Sequence, residues 1–326
     1  MAEQIDAYSH IMPRSFFEAV CDIHPKQELT ALENAPHLWD IEQRLGVMDE
    51  FSIDKQVLTL ARPPLWQGLD SETARPLIRQ ANDEIRQIAE QHPDRFIPVA
   101  TLPYGGDASL AELNRCLVDH DMAGVQLYSN VDGQPIDSGV YDPVFERVNE
   151  LGVPIWLHPQ LHEWHQWTDE YMEHKMLGWP FDTSVALSRL IFTGVFEQYQ
   201  NLRVIAHHAG GMLPFFGERI RSFYETRKQY PDVYPGVDLS QLSQSIDDYF
   251  NQIYADTAVS SSVPALRCAL EFFGPDNLLF GVDYPFGPDA GRSWMDGGIE
   301  ALEALGLDVQ TRQSIGGANL RALLAQ

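Results

Sequence analysis

The chain begins with an apolar, strand-like run, Ile5-Asp6-Ala7-Tyr8-Ser9-His10, that ends in a potential metal ligand. Three later runs end in the same way, in a histidine or a carboxylate: Val153-Pro154-Ile155-Trp156-Leu157-His158, Val204-Ile205-Ala206-His207-His208 and Leu278-Leu279-Phe280-Gly281-Val282-Asp283. In a parallel β/α barrel, the C-terminal ends of the strands meet at one mouth, where active sites lie. The pattern therefore favours an enzyme, with a metal at that mouth, over a binding or structural protein.

Strand-like runs recur along the whole chain, near residues 3–8, 55–61, 96–101, 124–128, 153–157, 203–207, 252–257 and 278–283. Amphipathic helical patterns lie between most of them, at 71–91, 108–118, 141–151, 183–196 (with Asp182 or Thr183 as N-cap), 262–273 and 308–324. Such alternation is typical of a parallel sheet, and no glycine-rich phosphate motif follows the first run. The sequence predicts an α/β fold, a (β/α)8 TIM barrel of the metal-dependent hydrolase type, as one domain over residues 1–326. Long insertions near 11–38 and 160–180 are expected to overhang the mouth as lid or binding loops.

Bulk properties limit the possible partners. The formal charge of −25 argues against nucleic acid and against an anionic membrane surface, and an anionic substrate would need local cations in the site. No apolar stretch of about 18 residues is present, so no membrane span is expected, and the first residues lack the features of a signal peptide. The three cysteines are far apart and indicate free thiols. A cytoplasmic protein is therefore predicted.

Individual residues at the strand ends suggest chemistry. Tyr8 and His10 are two apart, so they share a face of an extended segment, as two ligands from one strand would. His158 could be a neutral imidazole ligand. His207 and His208 should point to opposite sides, so that one faces the mouth and the other packs in the core. Asp283 would be costly to bury unless it were paired or metal-bound, although it could also cap the next turn.

Four motifs together carry a family resemblance. They are Asp6-Ala7-Tyr8-Ser9-His10-Ile11-Met12-Pro13, Leu157-His158-Pro159, Ala206-His207-His208-Ala209-Gly210-Gly211-Met212-Leu213-Pro214 and Phe280-Gly281-Val282-Asp283-Tyr284-Pro285-Phe286. In this order and over nearly the whole chain, they resemble the amidohydrolase-2 family. The resembling branch is typified by aminocarboxymuconate semialdehyde decarboxylase and γ-resorcylate decarboxylase.

The resemblance implies one divalent metal, with zinc expected first and manganese second. It places His10, His158 and Asp283 on metal-ligand positions and His208 on that of the catalytic acid/base. Arg227 falls where the semialdehyde decarboxylases place an arginine for a substrate carboxylate, contributed by a neighbouring subunit. A homodimer is implied in the same way.

Tyr8 departs from the family, which usually has His or Glu at this position. A phenol has an ordinary pKa near 10, so it is a poor ligand unless the charge of a metal favours the phenolate. Three interpretations follow: Tyr8 is a phenolate or weak ligand, the metal keeps three protein ligands and waters, or the metal is bound weakly or lost. The first two are preferred.

The predicted function is metal-dependent, non-oxidative decarboxylation of a small aromatic or unsaturated hydroxy, amino or oxo acid, as in aromatic compound catabolism. The metal would bind the substrate or a water, with His208 and Asp283 handling protons. Trp164 and Trp179 would stack on a planar substrate, unless they only pack in the core. The alternatives are a metal-dependent hydrolase or hydratase of a small carbonyl compound, and a metal-poor, non-catalytic relative.

Overall fold

The computed structural model describes residues 3–23, 35–61, 69–131, 133–160, 170–233 and 238–325. Its strands are β1 (Ile5–Ile11), β2 (Lys55–Leu60), β3 (Phe96–Pro98), β4 (Ala100–Thr101), β5 (Val125–Tyr128), β6 (Asn130–Val131), β7 (Gln134–Pro135), β8 (Ile155–His158), β9 (Val204–Ala206), β10 (Ile253–Asp256) and β11 (Leu278–Leu279). Its α-helices are α1 (Arg14–Cys21), α2 (Ile41–Glu50), α3 (Ser71–Gln91), α4 (Gly106–Asn114), α5 (Asp142–Leu151), α6 (Trp179–Phe192), α7 (Val195–Gln198), α8 (Leu213–Gln229), α9 (Ile246–Phe250), α10 (Val263–Phe273), α11 (Arg292–Ala304), α12 (Val309–Gln313) and α13 (Asn319–Leu324).

Apart from the short antiparallel pair β6–β7, the strands form a parallel ring. β1, β2 and β3 pair in one ladder, and β4, β5, β8, β9, β10 and β11 pair in that order in another. Near Val99, which separates β3 from β4, the two ladders are joined by a hydrogen bond of 3.1 Å from Val99 N to Leu58 O. On the other side, Ala7 N donates to Phe280 O at 2.7 Å. The predicted TIM barrel is confirmed, and each of the predicted strand-like runs contains a strand.

Apolar side chains pack against both the inner and the outer faces of the barrel strands. One buried cluster lies inside the strands, with Ile5, Val57, Trp156, Ile205 and Leu279 among its members. A larger cluster lies between the outer faces of the strands and the helices. Strands that are buried on both faces read as continuous apolar runs, which is why they were visible in the sequence.

The helix predicted over 183–196 is shifted in the structure. α6 begins at Trp179, with Pro180 in its first turn where the missing N–H is not needed, and it ends at Phe192. Gly194, with φ of 84°, then separates it from α7. Asp182 and Thr183 are therefore buried inside the helix, and the prediction that either is the N-cap is wrong.

The two predicted insertions are only partly described. The first contains α1 and the 3-10 turn Pro36–Leu38. In the second, residues 161–169, which include Trp164, lie outside the described residues, and the π-helical turn His174–Gly178 leads into α6. Among the helices that the structure describes, none is long and apolar enough to cross a membrane. The single-domain division stays a prediction.

Candidate metal and catalytic site

His10 stands near the C-terminal end of β1, where hydrogen bonding fixes the direction of its ring. Thr59 Oγ1 lies 2.9 Å from Nδ1 of His10 and also donates to Ser9 O at 2.9 Å. Because the only hydroxyl proton of Thr59 is used on Ser9, Nδ1 of His10 carries the proton and donates. The Nε2 of His10 then carries a lone pair, and this nitrogen lies 3.1 Å from Oδ1 of Asp283.

His158 and His207 are held in the same manner. The Nδ1 of His158, at the end of β8, lies 2.7 Å from the carbonyl oxygen of Pro159, which can only accept. The Nδ1 of His207, directly after β9, donates to Oδ2 of Asp256. The inward-facing Nε2 atoms of His207 and His10 are 3.5 Å apart, and Nε2 of His207 is 3.4 Å from Oδ1 of Asp283.

Three imidazole nitrogens and a carboxylate thus meet at one place. His10, His158 and His207 form one group whose possible ligand atoms lie within 4.8 Å of one another, and His207, His208 and Asp283 form a second. Lone pairs at such distances repel unless a cation lies among them. Neutral imidazoles whose other nitrogen is hydrogen-bonded are the usual donors to a divalent metal, so the residues present fit one.

The pKa of His207 is raised by the carboxylates around it. Burial alone would lower the pKa of His207, but the charge and hydrogen bond of Asp256, with help from Asp283, raise it to about 10. Burial would also raise the pKa of Asp283, yet its contacts with His10 and His207 hold that pKa well below the ordinary value. A metal would have to displace the His207 proton to occupy the site.

His208 differs from its neighbour in charge. Burial, followed by the charge of His207, lowers the pKa of His208 to about 3, so this imidazole is neutral and can accept a proton. Its Nε2 is 3.9 Å from Oδ2 of Asp283. The ring is 17% exposed, against 1% for His207, so it is the more accessible of the two.

The prediction that His207 and His208 point to opposite sides is wrong. Their ring centroids are 3.8 Å apart, and both rings approach Asp283. Alternation of side chains holds only while the backbone is extended. His208 has φ of 55° and begins the 3-10 turn His208–Gly210, which brings its side chain back to the face of His207.

Tyr8 is fully buried beside this cluster. Its ring stacks on that of His207, with centroids 4.1 Å apart and planes at 17°, and its hydroxyl has no hydrogen-bond partner among the described residues. Burial, and then the charge of Asp256, raises the pKa of Tyr8 well above its ordinary value, which disfavours a phenolate in the metal-free site. A ligand role for Tyr8 stays a prediction.

A cavity of about 490 Å³ opens over the cluster, a volume suited to a small ligand. Its polar wall contains His158, His207, His208 and Asp283, and its other walls include Trp179, Phe286, Trp294 and Lys175. Trp179 stacks over His208 with ring centroids 6.2 Å apart, and its role beside a substrate stays a prediction. Arg227 lies on α8 and is not among the described lining residues of its own chain. Its contribution to a neighbouring subunit stays a prediction.

Two residues that hydrogen-bond to the candidate ligands, and one cation in the cavity wall, were not predicted from the sequence. Asp256 ends β10 and Thr59 lies near the end of β2, so the strand-end rule that found the histidines could have found both. Lys175, which lies in the turn before α6 in an irregular segment, had no such signal.

Known proteins resemble this chain over most of its length. The 2-amino-3-carboxymuconate-6-semialdehyde decarboxylase of Dictyostelium discoideum is 27% identical over 303 residues, which cover 87% of this chain and 82% of that protein. The γ-resorcylate decarboxylase of a Polaromonas species is 30% identical over 311 residues, covering 88% of each.

Solved structures agree with the sequence comparison. The dihydroxybenzoic acid decarboxylase of Polaromonas sp. JS666, solved with manganese and the inhibitor 2-nitroresorcinol, has a TM-score of 0.81 and 26% identity, covering 100% of this chain and 97% of that one. The profile of the amidohydrolase family matches residues 5–325. The chain therefore belongs to the amidohydrolase family.

Proposed function

We propose that this protein is a metal-dependent, non-oxidative decarboxylase of a small aromatic acid with a hydroxyl group beside its carboxylate. The observation that carries the proposal is the convergence of His158, His208 and Asp283 on one aromatic-walled cavity, with Nε2 of His10 3.1 Å from Asp283. The similarity to decarboxylases over nearly nine-tenths of the chain supports the same reaction.

His10, His158 and Asp283 would hold the metal. When bound, the metal supplies positive charge that orients the substrate's carboxylate and adjacent oxygen and stabilises negative charge on them. Trp179 and Phe286 offer aromatic faces to a planar ring and exclude water from the site. Lys175 adds a cation at the cavity wall, which an anionic substrate requires in a chain of net charge −25.

His208 would move the proton. As a neutral imidazole, it accepts the proton of the substrate hydroxyl at Nε2 and then donates it to the ring carbon that bears the carboxylate. The bond between that carbon and the carboxylate breaks, its electron pair returns to the ring, and carbon dioxide leaves. The phenolate product then takes a proton from water, and Asp283, whose Oδ2 is near Nε2 of His208, stabilises the transient imidazolium.

Zinc is proposed as the native metal because histidine nitrogen and carboxylate oxygen suit it, with manganese as the competing ion, as in the solved relative. The homodimer is proposed from the resemblance alone. A cytoplasmic location is proposed from the three cysteines, which lie far apart in the sequence. Elemental analysis of protein purified without added metal, together with light scattering, tests the first two.

The reaction is tested with 2,6-dihydroxybenzoate and related hydroxybenzoates in D2O. We expect carbon dioxide release with one deuterium at the carbon that lost its carboxylate, and loss of both in His208→Asn. Hydrolysis of a lactone or amide without carbon dioxide release from any acid would contradict the proposal and favour a hydrolase. Protein that neither binds metal nor responds to His208→Asn would indicate a non-catalytic relative.

A further inference from the structure

His207 is a buried histidine to which the decarboxylase proposal gives no task, and its surroundings are not those of an ordinary packed side chain. Its exposed fraction is 1%, its Nδ1 is hydrogen-bonded to Asp256, and its Nε2 faces inward. That Nε2 is 3.5 Å from Nε2 of His10 and 3.4 Å from Oδ1 of Asp283. His207 therefore lies nearly as close to His10 and Asp283 as these two lie to each other, at 3.1 Å.

Asp256 fixes the orientation of His207. Its Oδ1 accepts hydrogen bonds from Ala209 N at 2.9 Å and Ala258 N at 3.0 Å, so only Oδ2 is left for the imidazole. A carboxylate held in this way keeps a proton on Nδ1 of His207, so Nε2 is the nitrogen that can bind a metal once its own proton is displaced. Histidines that bind metals almost always have such a partner on the other ring nitrogen.

Tyr8 is arranged differently from the three histidines. Its ring lies flat on His207, with centroids 4.1 Å apart, and is 5.5 Å from the ring of His10 at a tilt of 56°. No described group accepts or donates a hydrogen bond at its hydroxyl to aim it at the cluster. Its clearest contact is the stacking, which restricts rotation of the His207 ring.

We propose that His207 binds the metal together with His10, His158 and Asp283, and that Tyr8 positions the His207 ring instead of acting as a ligand. The inference rests on the proposed function for the presence of a metal at this site and specifies which residues hold it. In this arrangement His207, which follows β9, takes the ligand position that was expected of Tyr8 on β1. Asp256 is then a positioning residue.

Metal affinity tests the ligand set without any measurement of activity. Wild type, His207→Asn, Tyr8→Phe and Asp256→Asn are stripped of metal, and zinc binding is measured by competition with a chromophoric chelator. We expect His207→Asn to weaken binding by roughly 100-fold or more, Asp256→Asn by about 10- to 100-fold, and Tyr8→Phe by less than about fivefold. Circular dichroism of each metal-free variant shows whether it is folded.

Cobalt substitution gives a second measurement that depends on coordination. The visible absorption of the cobalt-loaded protein should be the same in Tyr8→Phe as in wild type, and it should change in His207→Asn. If His207→Asn does not fold, His207→Ala with added imidazole serves instead, and recovery of metal binding with imidazole is expected. The free imidazole then replaces the missing ring.

The opposite results would overturn the inference. Loss of affinity in Tyr8→Phe with retention in His207→Asn would identify Tyr8 as the ligand, and a wild type that binds no metal would also refute it. Failure of the proposed function gives a different result: wild type binds metal with the expected variant order but decarboxylates no hydroxybenzoate. Decarboxylation with unaltered metal binding in His207→Asn would refute only the inference.

Discussion

Thr59 determines which nitrogen of His10 faces Asp283, since its hydroxyl donates to Ser9 O and accepts from Nδ1 of His10. The threonine lies near the end of β2, which pairs in parallel with β1 in the register His10 to Thr59. Sheet register thus fixes which nitrogen of this candidate ligand carries the proton. The same device recurs at His158 and His207 with other acceptors.

Replacement of Thr59 by valine tests this relationship. The substitution keeps the shape of the side chain and removes the acceptor for His10, so we expect metal affinity to fall by about 10- to 100-fold. Chelator competition measures the effect. Thr183→Val is the matched control, because Thr183 is fully buried and its hydroxyl has no hydrogen-bond partner among the described residues. Equal affinity in both variants would contradict the assignment.

Substitutions of Asp283 and His208 should distinguish metal binding from proton transfer. In Asp283→Asn we expect both the metal and the activity to be lost, because the carboxylate is the one negative ligand in the group. In His208→Asn we expect the metal content to stay near one per chain while kcat falls by about 10²- to 10⁴-fold. Elemental analysis and carbon dioxide release measure the two effects. Loss of metal in both variants would place His208 among the ligands.

Trp179 is expected to contribute to substrate affinity rather than to the chemical step. Its ring stands 5.9 Å from that of His158 and lines the cavity. Loss of an aromatic contact of about 0.5–1.5 kcal/mol in Trp179→Leu should raise KM roughly two- to tenfold, with a smaller change in kcat. Phe215→Leu, at a side chain that is 78% exposed, is the control and should leave KM unaltered. An unaltered KM in Trp179→Leu would show that the ring only packs.

Glu197 provides a test of stability against pH away from the cavity. Hydrogen bonds from Ser243 and Tyr249 lower the pKa of Glu197 to about 2, from an ordinary value of 4.5. The ionised carboxylate therefore stabilises the fold fully above about pH 4.5, and this contribution is lost as the pH falls towards 2.

In Glu197→Gln we expect the free energy of unfolding at pH 7 to fall by about 1 kcal/mol, a value reduced for the partial exposure of the site. The difference from wild type should shrink between pH 4.5 and pH 3. Urea denaturation at these pH values measures it, with the exposed Glu300→Gln as the control. A difference that grew as the pH fell would contradict the sign of the pKa shift.

The residues at the strand ends show which parts of the site could be predicted from the sequence alone. His10, His158 and Asp283 were identified because each follows an apolar run, and the barrel and the family that they indicated are confirmed. Their roles as ligands stay predictions. Asp256 follows the same rule at the end of β10 and was overlooked, so this part of the site was within reach of the sequence.

Other features depended on contacts that no local pattern contains. The side on which His208 lies follows from a positive φ at a histidine, which alternation cannot anticipate. Which nitrogen of each histidine faces inward depends on Thr59, Pro159 and Asp256, and two of these three lie about 50 positions away in the chain.

The sequence by itself determined the order of strands and helices, and hence that chemical groups at the strand ends would meet, because the periodicity of apolar residues is a local property. Tertiary structure decided which groups meet within ligand distance, because that depends on sheet register and on backbone turns after the strands. In the sequence, Tyr8 was the expected ligand that departed from the family pattern. In the folded chain its ring packs on His207, whose Nε2 faces His10 and Asp283.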